Sequence, residues 1–427
     1  DAIKNWAVRT GYPYADALEE WNETIFGAGV TTAPAVIPSY DWYNEIFRAG
    51  RTGQYDLSAR GGNEKTKFFI SAGYNDIKGA VMASSYNRGN LRANLDHQIS
   101  DKVSFETSIT LAATQSVGHG TDRGFYTNTP FTGALFTPPT NAIYNPDGTY
   151  NNNLYGAYGY NVVQGINEEQ RKTTSVQTIS NVALNYQVLP ELNLRAYAGV
   201  DFADAKNYNY RPSTLPAYAA TGGTGNENFI RNVNYNTSVT ANYNKTFNND
   251  HNFSALAGFE YRSASQTQLS VGVQGFPSPL LTLLGSASTN TSYGSTFTGY
   301  KIASLIGNIN YDYKGKYLLT GNLRYDGSSR FGADQKFGLF GGVSAGWRIS
   351  GEDFMKSVSF VNDLKLRASY GVTGVQPTGD FGALTLFTSG GAAGAYNGGG
   401  SLRPSQLGNG ALSWEGSKQL GAGLDFS

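Results

Sequence analysis

Apolar and polar residues alternate through long stretches of this chain. Leu91, Ala93 and Leu95 share one side of a stretch whose other side carries Asn90, Arg92, Asn94 and Asp96. Past the tight Ser100–Asp101 turn the pattern resumes, with Val103, Phe105, Ile109 and Leu111 against Ser104, Glu106, Ser108 and Thr110. Side chains of a strand point to opposite faces with period two, so each such stretch predicts a strand with one oily and one wet face. The cleanest examples set Val233, Tyr235, Val239, Ala241 and Tyr243 against Asn234, Asn236, Ser238, Thr240 and Asn242. Equally clean are Tyr317, Leu319, Leu323 and Tyr325 against Thr320, Asn322, Arg324 and Asp326. Read forward, the alternation predicts about thirteen strands. They lie near 54–60, 66–75, 88–98, 102–114, 174–188, 191–202, 230–246, 252–264, 299–313, 316–326, 337–349, 363–373 and 417–427.

The connections fall into two alternating sets. Short ones lie at Gly61–Lys65, Ile99–Asp101, Leu189–Pro190, Asn248–His251 and Lys314–Gly315, with Gly351–Asn362 somewhat longer. Long ones lie near 115–173, 203–229, 265–298, 327–336 and 374–416. A soluble sandwich would turn its apolar faces inward. Here so many strands oppose Asn, Arg, Asp and Ser to the oily face that a water-filled lumen fits better. The fold expected is all-β: a large antiparallel transmembrane β-barrel with short periplasmic turns and long extracellular loops. By the same parity residues 1–53 form an extracellular loop region between barrel strands, and 54–427 form the barrel segment. Thirteen strands of a larger sheet leave two edges unpaired, which lipid does not tolerate, so further strands or a partner are expected beside them.

Composition sharpens this picture. Charged residues make up 15% of the chain, aromatics 13%, with Tyr 29, Phe 23 and Gly 53. Soluble domains carry about 25% charged residues, and Tyr with Gly suits a lipid-facing sheet with aromatic girdles. Lys+Arg 32 balance Asp+Glu 32, so no electrostatic pull towards nucleic acid is expected. Cys 0 excludes disulfides, a thiol nucleophile and Cys-bound metal. No run of about 18 apolar residues exists, so a spanning form has to be a closed barrel. The chain opens at Asp1 without signal peptide or initiator Met, and Ser427 follows Phe426 inside strand-like sequence. Both ends are therefore expected to be cut.

Candidate chemistry is sparse. Gly342-Val343-Ser344-Ala345-Gly346 matches a nucleophile elbow, which needs a strand–turn–helix context and a later His. The period-two pattern runs straight through it, and His97, His119 and His251 all precede Ser344. Small residues in a crowded strand explain it better. Gly61-Gly62-Asn63-Glu64-Lys65-Thr66 lacks the Gly before Lys that a phosphate loop requires, and reads as a turn. The three histidines have no metal-ligand spacing. Glu19-Glu20 and Glu168-Glu169 could supply oxygen ligands to Ca²⁺, against the blander reading of solvated loops. Aromatic groups in long loops (Trp42-Tyr43, Phe125-Tyr126, Tyr155, Tyr158, Tyr160, Tyr208, Tyr210) could stack on sugars or hold peptides, or could simply pack their own loops. No catalytic, cofactor-binding or metal residue is expected, no substrate-binding residue is named, and the protein is expected not to be an enzyme.

Several stretches together resemble one family. They are Asp41-Trp42-Tyr43-Asn44-Glu45-Ile46-Phe47-Arg48, Tyr55-Asp56-Leu57-Ser58, Gly61-Gly62-Asn63, and Thr66 through Tyr74. More specific is Leu323-Arg324-Tyr325-Asp326-Gly327-Ser328-Ser329-Arg330-Phe331-Gly332, leading through Lys336-Phe337-Gly338 to Gly346-Trp347-Arg348-Ile349-Ser350 and Glu352. Leu364 through Gly371, Trp414-Glu415 and Gly423-Leu424-Asp425-Phe426 follow in order. The chain is similar to the SusC/RagA-type TonB-dependent outer-membrane transporters of Bacteroidetes. Gly341-Gly342 stands where that family commonly has Pro-Ser, and Val375 where Asn is usual; neither touches a known chemical role. The resemblance implies a 22-stranded barrel in the bacterial outer membrane, of which the plug, the TonB box and the last strands are absent here. It also implies import of a large glycan or oligopeptide, a SusD-like surface lipoprotein as partner, and TonB acting through the plug. A passive porin, or a non-transporting surface barrel serving as adhesin or assembly scaffold, remain the rival readings.

Overall fold

The computed structural model describes residues 2–26, 29–32, 37–119, 129–154, 161–358, 360–376, 379–389 and 401–427. Its strands are β1 (Arg51–Gly62), β2 (Thr66–Lys78), β3 (Ser85–Ser100), β4 (Val103–Val117), β5 (Gln170–Leu189), β6 (Leu192–Arg211), β7 (Thr224–Phe247), β8 (His251–Gln274), β9 (Thr289–Tyr313), β10 (Tyr317–Ser328), β11 (Phe337–Arg348) and β12 (Leu364–Val375). A small hairpin of β13 (Leu386–Ser389) and β14 (Leu402–Gln406) precedes β15 (Glu415–Phe426). The first twelve strands and β15 form one 13-stranded antiparallel sheet in chain order. Among the described residues β1 pairs only with β2 and β15 only with β12.

Register fixes which face each residue occupies, because directly opposed residues point the same way. One row across the sheet reads Leu91, Leu111, Thr178, Phe202 and Val233. The neighbouring row of opposite parity reads Asn94, Ser108, Asn181, Gly199, Asn236, Arg262 and Ile302. The predicted alternation therefore sums to two faces, one apolar and one polar. The apolar face is open: Leu91 is 55% exposed, Tyr235 51% and Leu323 54%. Leaving such a broad oily surface bare in water would be far outside what soluble monomers tolerate.

At the short-turn end the apolar face closes in a band of rings. Tyr243 and Phe253 lie 6.2 Å apart, His251 lies tilted 4.5 Å from Tyr313, and Tyr313 stacks 6.1 Å from Tyr317. Glu352, in the β11–β12 connection, ties this band down by accepting from Tyr317 Oη at 2.7 Å, Trp347 Nε1 at 3.1 Å and Lys316 Nζ at 3.2 Å. Those donors hold its carboxyl below the usual range. The turns follow ordinary hairpin chemistry. Lys314 and Gly315 have φ of 56 and 66, and Lys316 N–H donates to Tyr313 O at 2.9 Å, a type I′ geometry that matches strand twist.

Strands β5 to β9 run further than the alternation predicts. β7 and β8 each have 24 residues, and β9 has 25. Much of 203–229 and 265–298 is strand rather than loop, and the connections shrink to 212–223 and 275–288. The reason is chemical. Beyond Phe202 and Val233 the oily face turns charged, with Arg231 paired to Asp204 and Lys206 to Glu227 at 2.7 Å. With both faces wet, period-two hydrophobicity disappears while the ladder of backbone hydrogen bonds continues.

A second body of structure sits among the long connections. Residues 1–53 carry α1 (Ala2–Thr10), α2 (Tyr14–Phe26) and α3 (Trp42–Ile46); the β4–β5 connection carries α4 (Pro130–Phe136) and α5 (Val162–Glu168); α6 (Pro216–Ala219) lies between β6 and β7. Trp42, Ile46, Ala134, Ile143, Leu154, Val162, Val163 and Ile166 form a dry core there. Asp41 caps α3 by accepting from Asn44 N–H at 3.1 Å. Asn161, 2% exposed, caps α5 by accepting from Val163 and Gln164 N–H. Its amide also donates to Ile143 O at 2.8 Å and Asn151 O at 2.9 Å.

Candidate functional site

The polar face is the feature with chemical capacity. On β7 alternate positions 226, 228, 232, 234, 236, 242 and 244 are all Asn, and all share that face. Neighbouring strands add Gln177, Asn181, Asn185, Gln266, Asn308, Asn310 and Asn322. An amide side chain both donates and accepts, so such a wall matches sugar hydroxyls and peptide groups alike. Some amides are engaged within the wall. Asn181 accepts from Tyr197 Oη at 2.7 Å and donates to Ser108 Oγ at 3.2 Å; Gln266 donates to Asn232 at 2.9 Å; Thr320 donates to Asn310 at 3.0 Å. Others are open: Asn234, Asn236 and Asn244 have no side-chain hydrogen bond among the described residues, and the Asn228 Oδ1 is buried without a partner.

Three groups of charges on this face are closed on themselves. Arg195 meets Glu106 at 3.0 Å and donates to Asn185 at 2.8 Å, while Asn185 donates back to Glu106 at 2.8 Å. Arg324 holds Glu260 and Asp326, each at 3.1 Å. Arg367 meets Asp425 at 3.2 Å. Self-paired charges cost a neutral polar molecule little to slide past, since they demand no counter-ion from it. At the short-turn end of β7–β12 the sheet forms a half-open hollow of about 830 Å³ lined by Asn252, Ser254, Asn310, Thr320, Ser344 and Arg367, among others.

The motifs singled out in the sequence are scattered, and the structure gives each a local role. Ser344 lies mid-strand in β11, opposite Thr320 and Ser369. A Cβ on Gly341 would lie 2.5 Å from Asn322 O, and one on Gly342 3.1 Å from Tyr370 O, so these two positions are kept small by the neighbouring strands' backbone. At the β1–β2 turn Asn63 Oδ1 accepts from Lys65 N–H at 2.9 Å and Thr66 N–H at 2.8 Å. His97 contacts Thr66 at 2.8 Å and His251 contacts Tyr311 at 2.7 Å, while burial pushes the His119 pKa down. Glu168 is held by Thr214 and Gln164, and Glu169 by Arg171 at 3.1 Å and Arg211 at 3.7 Å.

The loop aromatics divide. Trp42 is buried and donates to Asn141 O at 3.1 Å, and Tyr210 is buried edge-on against Phe276 at 4.9 Å. Tyr208 donates to Thr282 O at 2.5 Å. These pack their own loops. Tyr43 stays half exposed, while Phe125, Tyr126, Tyr155, Tyr158 and Tyr160 lie outside the described residues. Tyr144 donates to Glu45 at 3.2 Å, and burial followed by that carboxylate pushes its pKa up to about 12. The amide ladder on β7 was readable in the sequence as a run of alternate Asn, yet nothing local distinguishes a pathway from any other wet face.

No family model matches the chain. It is 31% identical over 398 residues to TonB-dependent receptor P39 of Formosa agariphila, covering 91% of this chain and 36% of that protein. It is 28% identical over 461 residues to TonB-dependent receptor SusC of Bacteroides thetaiotaomicron, covering 99% of this chain and 43% of that one. Among solved structures, the RagAB peptide importer in its open-open state matches with TM-score 0.81 at 23% identity, over 99% of this chain and 49% of that chain. The chain thus spans less than half the length of these curated relatives. Sheet order, the bare oily face and these relatives agree: the chain belongs to the SusC/RagA-type TonB-dependent transporters and supplies thirteen strands of their barrel.

Proposed function

We propose that this chain is part of a barrel that imports a large polar nutrient, a glycan or an oligopeptide, across the bacterial outer membrane. The observation that carries this reading is the pairing of an open apolar face with an amide-lined opposite face on the same strands. The first suits acyl chains, and the second suits a cargo rich in hydroxyl or peptide groups. Further strands complete the wall on either side of β1 and β15, since a bilayer does not satisfy an open sheet edge. Kinship with TonB-dependent receptors supports energy-coupled uptake, with TonB acting on a plug and a SusD-like lipoprotein closing the mouth. Deletion of the gene, followed by uptake assays with radiolabelled glycans and peptides, tests the proposal. Loss of uptake of one class, restored by the gene and abolished when the proton gradient is dissipated, is the expected result. Unchanged uptake of every class overturns import, and uptake indifferent to the gradient identifies a passive pore instead.

A further inference from the structure

The Arg262 side chain on the polar face belongs to no closed charge group, as Arg88 and Arg92 do not, and it alone of the three has an aromatic ring beside it among the described residues. It lies there in register with Asn236 on one side and Ile302 on the other. No carboxylate and no hydrogen-bond acceptor holds it among the described residues; its guanidinium carbon lies 5.8 Å from the centre of the Tyr300 ring. The nearest acids in register are Glu260, two residues along β8, and Asp326, in the same row as Glu260; Arg324 takes both.

The same ring carries a second guanidinium. Arg330 lies over Tyr300 at 3.8 Å and forms a two-pronged bond to Asp380 Oδ1 at 2.9 and 2.7 Å. Thr298 donates to the other oxygen of Asp380. Around Tyr300 there are therefore two guanidiniums and one carboxylate, and the carboxylate is committed to Arg330. One positive charge is left over. An aromatic face attracts a guanidinium and holds its plane, while the planar fork of N–H donors along its edge remains available. That fork matches a carboxylate in two-pronged geometry. The unpartnered amides of Asn234 and Asn236 on the adjoining strand can complete such a site by donating to whatever flanks the anion.

We propose that Arg262, backed by Tyr300 and flanked by Asn234 and Asn236, is a binding site for a carboxylate of the imported molecule. The assignment rests on the import reading and narrows it to cargo carrying an anionic group. A peptide C-terminus and a uronic acid both present that chemistry. A phosphate group presents two oxygens to the same fork; the carboxylate is the anion tested below.

Calorimetric titration of the purified full-length transporter with its partner tests this, with two probe pairs. One is N-acetyl-tetraalanine against its C-terminal amide; the other is trigalacturonate against its methyl ester. At least one acid is expected to bind tenfold or more tighter than its neutral counterpart, and the pair that shows the preference identifies the source. In Arg262→Gln that preference disappears while the neutral probe binds as before, which also certifies the fold; Arg262→Lys keeps part of it. The absence of any acid preference in the native protein overturns the site, as does a preference that survives Arg262→Gln. The import reading fails separately: binding without gene-dependent uptake overturns import and leaves the site standing, whereas gene-dependent uptake of acidic cargo unaffected by Arg262→Gln removes the site and leaves import.

Discussion

The sheet and the helical cap around Trp42 are made from one chain yet are stabilised in opposite ways. In the cap, Ile46, Val162 and Val163 are almost wholly removed from solvent, and the buried Asn161 amide has its hydrogen bonds made on both its oxygen and its nitrogen. That is the economy of a water-soluble domain. In the sheet the large apolar residues are the exposed ones, and stability comes from thirteen strands of backbone hydrogen bonds with lipid outside. The two regions teach that hydrophobic residues here answer to two different solvents, and that a substitution has to be judged by the solvent its side chain meets.

The sharpest break in this comparison is in the cap. Ile46→Ala removes a side chain with 0% exposure and is expected to cost about 2–5 kcal/mol. The loss stays local: limited proteolysis should cut near residues 1–53 and 129–169, while the strand content measured by circular dichroism is unchanged. Loss of the strand signal instead would mean that the two regions fold as one.

Next in size is a contrast between neighbours on β11. Val343→Arg places a charge on the lipid side and is expected to destabilise the barrel by about 2–4 kcal/mol in urea unfolding from lipid vesicles. Ser344→Arg, one residue on and facing the lumen, should stay within about 1 kcal/mol. Equal effects at both positions would falsify the assignment of faces.

Asn161→Ala comes third, at about 1–3 kcal/mol, because it strips the cap from α5, takes the side-chain donor from the Asn151 carbonyl and leaves the Ile143 carbonyl with the Asn151 N–H alone. Protease sensitivity of the α5 segment reads it out, and insensitivity would show that solvent already reaches those carbonyls.

The smallest effect is one of pH at the rim. Glu352 has a depressed pKa in the folded chain, so its contribution is present above the unfolded carboxyl pKa and is lost as pH falls through the folded one. Acidification should therefore loosen the Tyr317 and Trp347 rings, seen as a shift in Trp fluorescence that Glu352→Gln removes. A titration identical in the variant would place the responsible group elsewhere.

How much of this was legible follows from the same two solvents. Where lipid touches one face and water the other, as along Tyr317–Tyr325, each residue announces its side, and strand order and parity could be read directly. Beyond Val233 and Phe202 both faces meet water, so the outer parts of β6 to β9 look like loop although they are ladder. The cap was illegible for a different reason. Its core joins Trp42, Ile143, Leu154 and Val163 from short helices and irregular chain, none long enough to show a period of 3.6. The hairpin of β13 and β14 is similarly too short to signal. Arg262 was visible only as one more polar residue, because its isolation depends on what Arg324 and Arg330 do with the nearby acids.

The length of β7 has a consequence for how far the wall reaches beyond its oily belt. At about 3.4 Å per residue and a tilt near 40°, its 24 residues climb roughly 60 Å, against an oily belt of about 25 Å. A palisade of strands therefore stands well clear of the oily belt, and under the proposed import a molecule arriving at that end enters a walled vestibule before it reaches membrane depth.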